Sequence, residues 1–286
     1  MRFVQFLLNG SSRLGVELKE GGDIVDLNAG NKSLPGDMKT FIEQGQQSLQ
    51  AAKSIVESGQ HVVKRENIEL LAPITDCDKV ICIGMNYKDH CEEQKCPVPV
   101  EPIIFSKFSS TLIGPHSDIE YPSETTQLDW EVEMAFVIGK GGKNIKKSDA
   151  MQHVFGYTVA HDVSARDWQM KKNGGQWIIG KSMDGFCPLG PAIVMKEDIE
   201  DPHNLRLYCR VNGVTKQDSS TCQIVHKTED LIAFISRLFT LRSGDVVLTG
   251  TPPGVGVFRK PPEFLKKGDV VECEIENIGK LVNKIV

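Results

Sequence analysis

Glu131 and Glu133 stand two apart in the run Trp130-Glu131-Val132-Glu133-Met134-Ala135-Phe136-Val137-Ile138, and Asp162 follows Gly156-Tyr157-Thr158-Val159-Ala160-His161. Carboxylates in such apolar company need a physical reason. If buried they cost free energy and repel one another, so they are tolerable where a cation lies between them or where their face meets water. Hard oxygen ligands of this kind suit Mg²⁺, Mn²⁺ or Ca²⁺. Taken alone, Glu-x-Glu also fits the wet side of an amphipathic edge strand.

The first run is β-branched and aromatic and reads as a strand, with Glu131 and Glu133 on one face and Trp130, Val132 and Met134 on the other. Gly156 to Ala160 reads as a second strand, which gives way at Asp162 to a helix with Ser164 as N-cap. If the helical turn begins near Asp162, then Asp162, Arg166 and Gln169 fall at i, i+4 and i+7 on one face. An acid, an anion-binding guanidinium and an amide would then point into one cavity. His161 is expected on the opposite side of its strand, as a core or supporting residue. In Cys82-Ile83-Gly84-Met85-Asn86-Tyr87-Lys88-Asp89-His90-Cys91-Glu92-Glu93, the pair His90 and Glu93 can meet on one helical turn, where the carboxylate fixes the imidazole tautomer and raises its basicity. Gly84, Pro97 and Pro99 bracket this segment as a mobile lid. In Thr249-Gly250-Thr251, backbone N–H groups and the Thr251 hydroxyl could hold a carboxylate, or the residues could form a tight structural turn. Gly254-Val255-Gly256 lacks the third glycine and the strand–helix setting of a dinucleotide site, so no nucleotide is expected.

Glu131-x-Glu133, His161-Asp162-Val163-Ser164-Ala165-Arg166-Asp167, Gly180-Lys181-Ser182-Met183-Asp184 and Leu248-Thr249-Gly250-Thr251-Pro252-Pro253-Gly254-Val255-Gly256 together resemble the fumarylacetoacetate hydrolase superfamily, from about Leu71 to the C-terminus. The resemblance implies a β-rich α+β fold, with a mixed β-roll or pseudo-barrel core that dimerises. It implies Glu131, Glu133 and Asp162 as ligands of Mg²⁺ or Mn²⁺, with Ca²⁺ as a further option. The His90–Glu93 dyad would act as general base on a water or an acidic C–H. Lys181, expected at a strand end after Trp177-Ile178-Ile179, would face the substrate where an enolate forms.

An octahedral ion held by three monodentate carboxylates keeps open positions for the carboxylate and ketone oxygens of a 2-oxo acid. Three acids outweigh one divalent ion, so a dianionic substrate needs further cations; Arg166 and Lys181, with Lys107, would supply them. Gln169 and Thr251 complete the expected substrate contacts. The implied activity is metal-dependent chemistry on small enolisable 2-oxo acids, with oxaloacetate keto–enol tautomerisation first. Alternatives are C–C hydrolysis of acylpyruvate or fumarylacetoacetate-like diketo acids, oxaloacetate decarboxylation, and a catalytically silent metal-binding scaffold.

The elements that must position these residues fall into two parts. Arg2 to Leu8, Arg13 to Leu18 and Asp23 to Leu27 read as short strands, and Asp37 to Ser58 as a helix with Met38, Phe41, Ile42, Leu49, Ala52 and Ile55 on its buried stripe, stopped by Gly59. This makes a small N-terminal α+β domain, residues 1–70. Residues 71–286 then form the catalytic domain, with many short apolar strands punctuated by Gly and Pro. The formal net charge of −5 and the absence of a Lys/Arg stripe exclude an electrostatic nucleic-acid binder. No apolar run reaches membrane-span length. The eight cysteines are scattered through apolar contexts and read as free thiols in a reducing compartment. The start shows no presequence; by resemblance the mitochondrial matrix is expected, with the cytoplasm as the alternative.

Overall fold

The computed structural model describes all 286 residues. Its main elements, in chain order, are β1 (Arg2–Leu8), β2 (Ser11–Glu17), β3 (Ile24–Asp26), α1 (Met38–Glu43), α2 (Gln46–Glu57), β4 (Val80–Gly84), α3 (Lys88–Glu93), β5 (Ile103–Lys107), β6 (Val132–Ile138) and β7 (Val154–His161). They continue with α4 (Arg166–Met170), α5 (Ile178–Lys181), β8 (Cys187–Met195), β9 (Arg206–Val211), β10 (Val214–Ser220), α6 (Thr228–Leu238), β11 (Val246–Leu248), β12 (Val270–Ile275) and β13 (Gly279–Lys284). Much strand, gathered in a large mixed sheet, and little helix make the α+β class that the resemblance implied.

The large sheet runs β3-β2-β1-β8-β7-β6-β11-β4-β5. It is mixed, because β11 pairs parallel with β4 while its other neighbour, β6, is antiparallel. A second sheet, β10-β9-β12-β13, packs across it. Residues before position 70 join the large sheet through β1, whose Arg2 and Phe3 pair with Val194 and Ile193 of β8. Strand alternation sends Val132, Met134, Phe136 and Ile138 into a core shared with α6 and the second sheet, and Ala135 and Val137 into a core shared with Phe41 and Ile55 of α1 and α2. Each such fully buried Val, Met, Phe or Ile side chain contributes roughly 1.5–3 kcal/mol.

The single helix expected over Asp37 to Ser58 is two helices. Gly45 takes φ +61°, a left-handed conformation that breaks the run. The Ser48 hydroxyl seals the break by donating to the Phe41 carbonyl at 2.7 Å. Met38, Phe41, Ile42, Ala52 and Ile55 nevertheless form the buried stripe, and Gly59, at φ +66°, follows its end.

Candidate active site

Cross-strand register brings the three acids together. β6 and β7 are antiparallel, with Glu133 opposite Ala160 and Val132 opposite His161, and the ladder extends one step further where Asp162 N–H donates to the Glu131 carbonyl at 2.9 Å. Residues directly opposite share a face, so Asp162 joins Glu131 and Glu133. Their carboxylate oxygens lie within 4.8 Å of one another, and all three residues are buried. His161 takes the other face with Val132, as expected, and burial together with nearby Lys107 holds its imidazole down at about 3.

The segment after Asp162 differs from its expected form. Ser164 is not an N-cap; Ser164–Ala165 pairs as a short strand with Leu128–Asp129, and the Ser164 hydroxyl donates to the Asp162 carbonyl at 3.0 Å. The helix begins only at Arg166 and leaves Asp162 outside it. Arg166 and Gln169 are therefore i, i+3 neighbours, joined at 2.8 Å, and both still line the cavity that holds Glu131 and Glu133.

Four buried acids meet three buried cations here. Arg166 pairs with Glu131 at 2.6 Å and with Asp129 at 2.7 Å. Lys181 bridges Glu131 at 2.9 Å and Asp162 at 2.8 Å. It ends the short helix α5 rather than a strand. Burial raises the Glu131 carboxyl, but Lys181 and Arg166 outweigh it and hold the group at about 2. Burial lowers Lys181 less than Asp162 and Glu131 raise it, so it stays charged. Glu133 behaves oppositely: burial, then Asp162 and Glu131, push it well above the carboxylate range, relieved mainly by Lys181 and by the Gly250 N–H at 2.7 Å. One negative charge is left uncompensated. Hard oxygen donors converging around an unneutralised acid fit a hard divalent cation.

Lys107 does not face the cavity as a substrate cation. Its ammonium is buried behind Asp162, 2.7 Å from Oδ1, and donates to the carbonyls of Val163 at 3.0 Å, Phe186 at 2.7 Å and Lys181. The Thr251 hydroxyl is also spent internally. It donates to the Val132 carbonyl at 2.9 Å and accepts from Gln217 at 2.8 Å, although Thr251 lines the cavity.

The His90–Glu93 dyad forms on one turn of α3 as expected, Nδ1 to Oε2 at 2.8 Å. Glu93 Oε1 accepts the Gly254 N–H at 3.0 Å, and Gln94 Nε2 sits 2.8 Å from His90 Nε2. With the carboxylate fixing the proton on Nδ1, Nε2 is left as an acceptor facing the cavity. Asp129 and Gln94 were missed in the sequence. Asp129 was legible, since it continues the alternation through Glu131 to Glu133; Gln94, one residue past its helix, carried no such signal.

The cavity has a volume of about 420 Å³. Its floor is Glu131, Glu133, Arg166 and Lys181, and its walls include Ile83, Phe105, Trp177 and Phe258. The family model for "Fumarylacetoacetate (FAA) hydrolase C-terminal" matches residues 79–286. The chain belongs to the fumarylacetoacetate hydrolase family. It is 62% identical over 288 residues to the Xenopus laevis protein named "Oxaloacetate tautomerase fahd2, mitochondrial", covering all of this chain and 90% of that one. The Homo sapiens protein "Oxaloacetate tautomerase FAHD2A, mitochondrial" is 56% identical over 288 residues, at 100% and 92% coverage. Among solved structures, the fumarylacetoacetate hydrolase of Exiguobacterium antarcticum superposes with a TM-score of 0.87 at 36% identity, covering 100% of this chain and 99% of that chain. The protein is thus an enzyme of this family, and Glu131, Glu133 and Asp162 form an acidic cluster whose geometry could hold a metal ion.

Proposed function

We propose that the protein is a Mg²⁺- or Mn²⁺-dependent oxaloacetate keto–enol tautomerase, with Glu131, Glu133 and Asp162 holding the ion. The observation that carries this reading is a cavity lined by Glu131, Glu133, a charged lysine and a carboxylate-backed histidine, with the Asp162 carboxylate within 4.8 Å of the two glutamates, in a chain 62% identical to a protein named for that activity. When bound, the ion supplies Lewis acidity toward the 2-oxo acid's oxygens. Lys181 keeps its proton and places positive charge where the enolate oxygen develops. His90 takes the enol O–H proton on Nε2 once substrate displaces Gln94, then returns it to C3 while the C2=C3 pair forms the new C–H bond. Glu93 stabilises the imidazolium between these transfers, and Arg166 and Gln169 orient the substrate carboxylate.

The same dyad could activate a water, which favours C–C hydrolysis of an acylpyruvate as the second reading. Ultraviolet assays of enol-oxaloacetate and acetylpyruvate on one preparation separate them; acetylpyruvate cleavage that is the faster by kcat/KM overturns the first. We also infer a homodimer in the mitochondrial matrix. Exposed Phe108 and Ile179 flank the edge strand β5 and support the dimer, and the compartment in the relatives' names supports the location.

A further inference from the structure

Beyond Arg166 and Lys181 on the acidic floor, the cavity is lined by no lysine or arginine. Arg166 is committed to Asp129 and Glu131, Lys181 to Glu131 and Asp162, and Lys107 lies behind Asp162. The rest of the lining is largely apolar, with Pro97, Ile103, Phe105, Met170, Trp177 and Phe258 interrupted by His90, Gln94, Gln169 and Thr251. Phe105 and Trp177 meet edge-to-face with centroids 5.3 Å apart, and Phe258 lies 6.0 Å from the His90 ring. A charged group at C3 of a 2-oxo acid loses hydration against such a wall without a paired charge in return. An aryl group there buries area against preorganised aromatic edges. The volume, about 420 Å³, is in the range that encloses a ligand with a ring, more than a four-carbon acid fills.

We propose that this enzyme also tautomerises 3-aryl-2-oxo acids, with the aryl group against the Phe105–Trp177 wall and the 2-oxo acid end on the acidic floor. The reaction is the isomerisation already assigned to the site: the enol O–H proton leaves, the C2=C3 pair takes a proton at C3, and C2–O becomes the ketone. No oxidant or co-reactant is consumed. The inference rests on the tautomerase reading and extends it to a substrate class without a second carboxylate.

The test follows enol-phenylpyruvate and enol-oxaloacetate separately in the ultraviolet with Mg²⁺ and the full chain, against uncatalysed controls. Both should be accelerated. Met170 and Ile103 are part-exposed, at 49% and 39%, so Met170→Arg and Ile103→Lys leave the interior intact while placing a cation at the mouth. Each should lower the phenylpyruvate-to-oxaloacetate ratio of kcat/KM by about tenfold, the value of a single contact worth roughly 1.4 kcal/mol. Oxanilate, an unreactive aryl mimic, should also bind the Mg²⁺ form more tightly than oxamate, with a more negative heat-capacity change. Acceleration of oxaloacetate alone, or equal binding of the two mimics, overturns the proposal and leaves the tautomerase reading standing. If neither enol is accelerated, both fall.

Discussion

Glu133 is the acid that this chain leaves least compensated. Glu131 has Arg166 and Lys181 as direct ion-pair partners and Asp162 has Lys181 and Lys107, whereas Glu133 has one backbone N–H. Its carboxyl is raised in the folded state, so the folded chain keeps a proton that the unfolded chain gives up near the ordinary value of 4.5. That stabilisation is present below 4.5 and is lost as pH rises through the folded value. Metal-free protein should therefore lose melting temperature as pH climbs from 4.5 toward neutrality, and Glu133→Gln should flatten this slope while weakening Mn²⁺ binding. Parallel slopes for the two proteins in chelator would show that Glu133 is not the strained group. Lys107 makes a second case. Removing one partner of a buried ion pair costs about 3–5 kcal/mol, so Lys107→Met should lower the urea midpoint, and an unchanged midpoint would refute its anchoring role. The acids were legible because carboxylates in apolar strands are rare and their alternation fixes their face. The placement of Lys107 was not, because its carbonyl partners come from Val163, Lys181 and Phe186, which no spacing rule connects to it.

α3 is fastened to the body by few contacts. Besides the Glu93–Gly254 bond, the Asp89 carboxylate accepts the Ser219 hydroxyl at 2.6 Å, and Asn86 bridges the carbonyls of Thr249 and His226 just before the helix. Polar latches of this sort open more readily than a strand buried on both faces, so amides from 86 to 98 should exchange faster than those of β6. Oxalate with Mg²⁺ should slow them, and exchange that ignores the ligand would count against a gating helix. Gly254 tests the latch itself. At φ +102° it accepts no ordinary side chain, and an added Cβ would lie 2.1 Å from the Lys216 carbonyl oxygen. Gly254→Ala should displace the N–H that holds Glu93 and cost about 10²-fold in kcat, whereas full activity would make the latch irrelevant. The helix at His90 was readable from i, i+3 spacing. The start of α4 was not, because Ser164 satisfies the N-cap preference locally and yet is drawn into a strand pair with Asp129.

Most strands of the molecule were legible, since alternating β-branched runs announce themselves, but their order was not. The site depends on β6 lying between β7 and β11, which delivers Asp162 from one neighbour and the Gly250 N–H from just beyond the other. The pairing with β11 joins residues more than a hundred positions apart, Ala135 to Leu248, and leaves no local trace in composition. The break at Gly45 was similarly hidden, since the helical stripe continues through it. As an assembly, the protein should sediment as a dimer, and Phe108→Glu should shift it toward monomer; a wild-type monomer at micromolar concentration would rule out the inferred dimer. The metal-dependent tautomerase account as a whole is decided by the ultraviolet time course of freshly dissolved enol-oxaloacetate, run with Mg²⁺, with excess chelator and with Asp162→Ala. Ketonisation should be accelerated by the wild-type enzyme with Mg²⁺ and should fall to the uncatalysed rate in the other two; acceleration that survives both chelator and Asp162→Ala would contradict it.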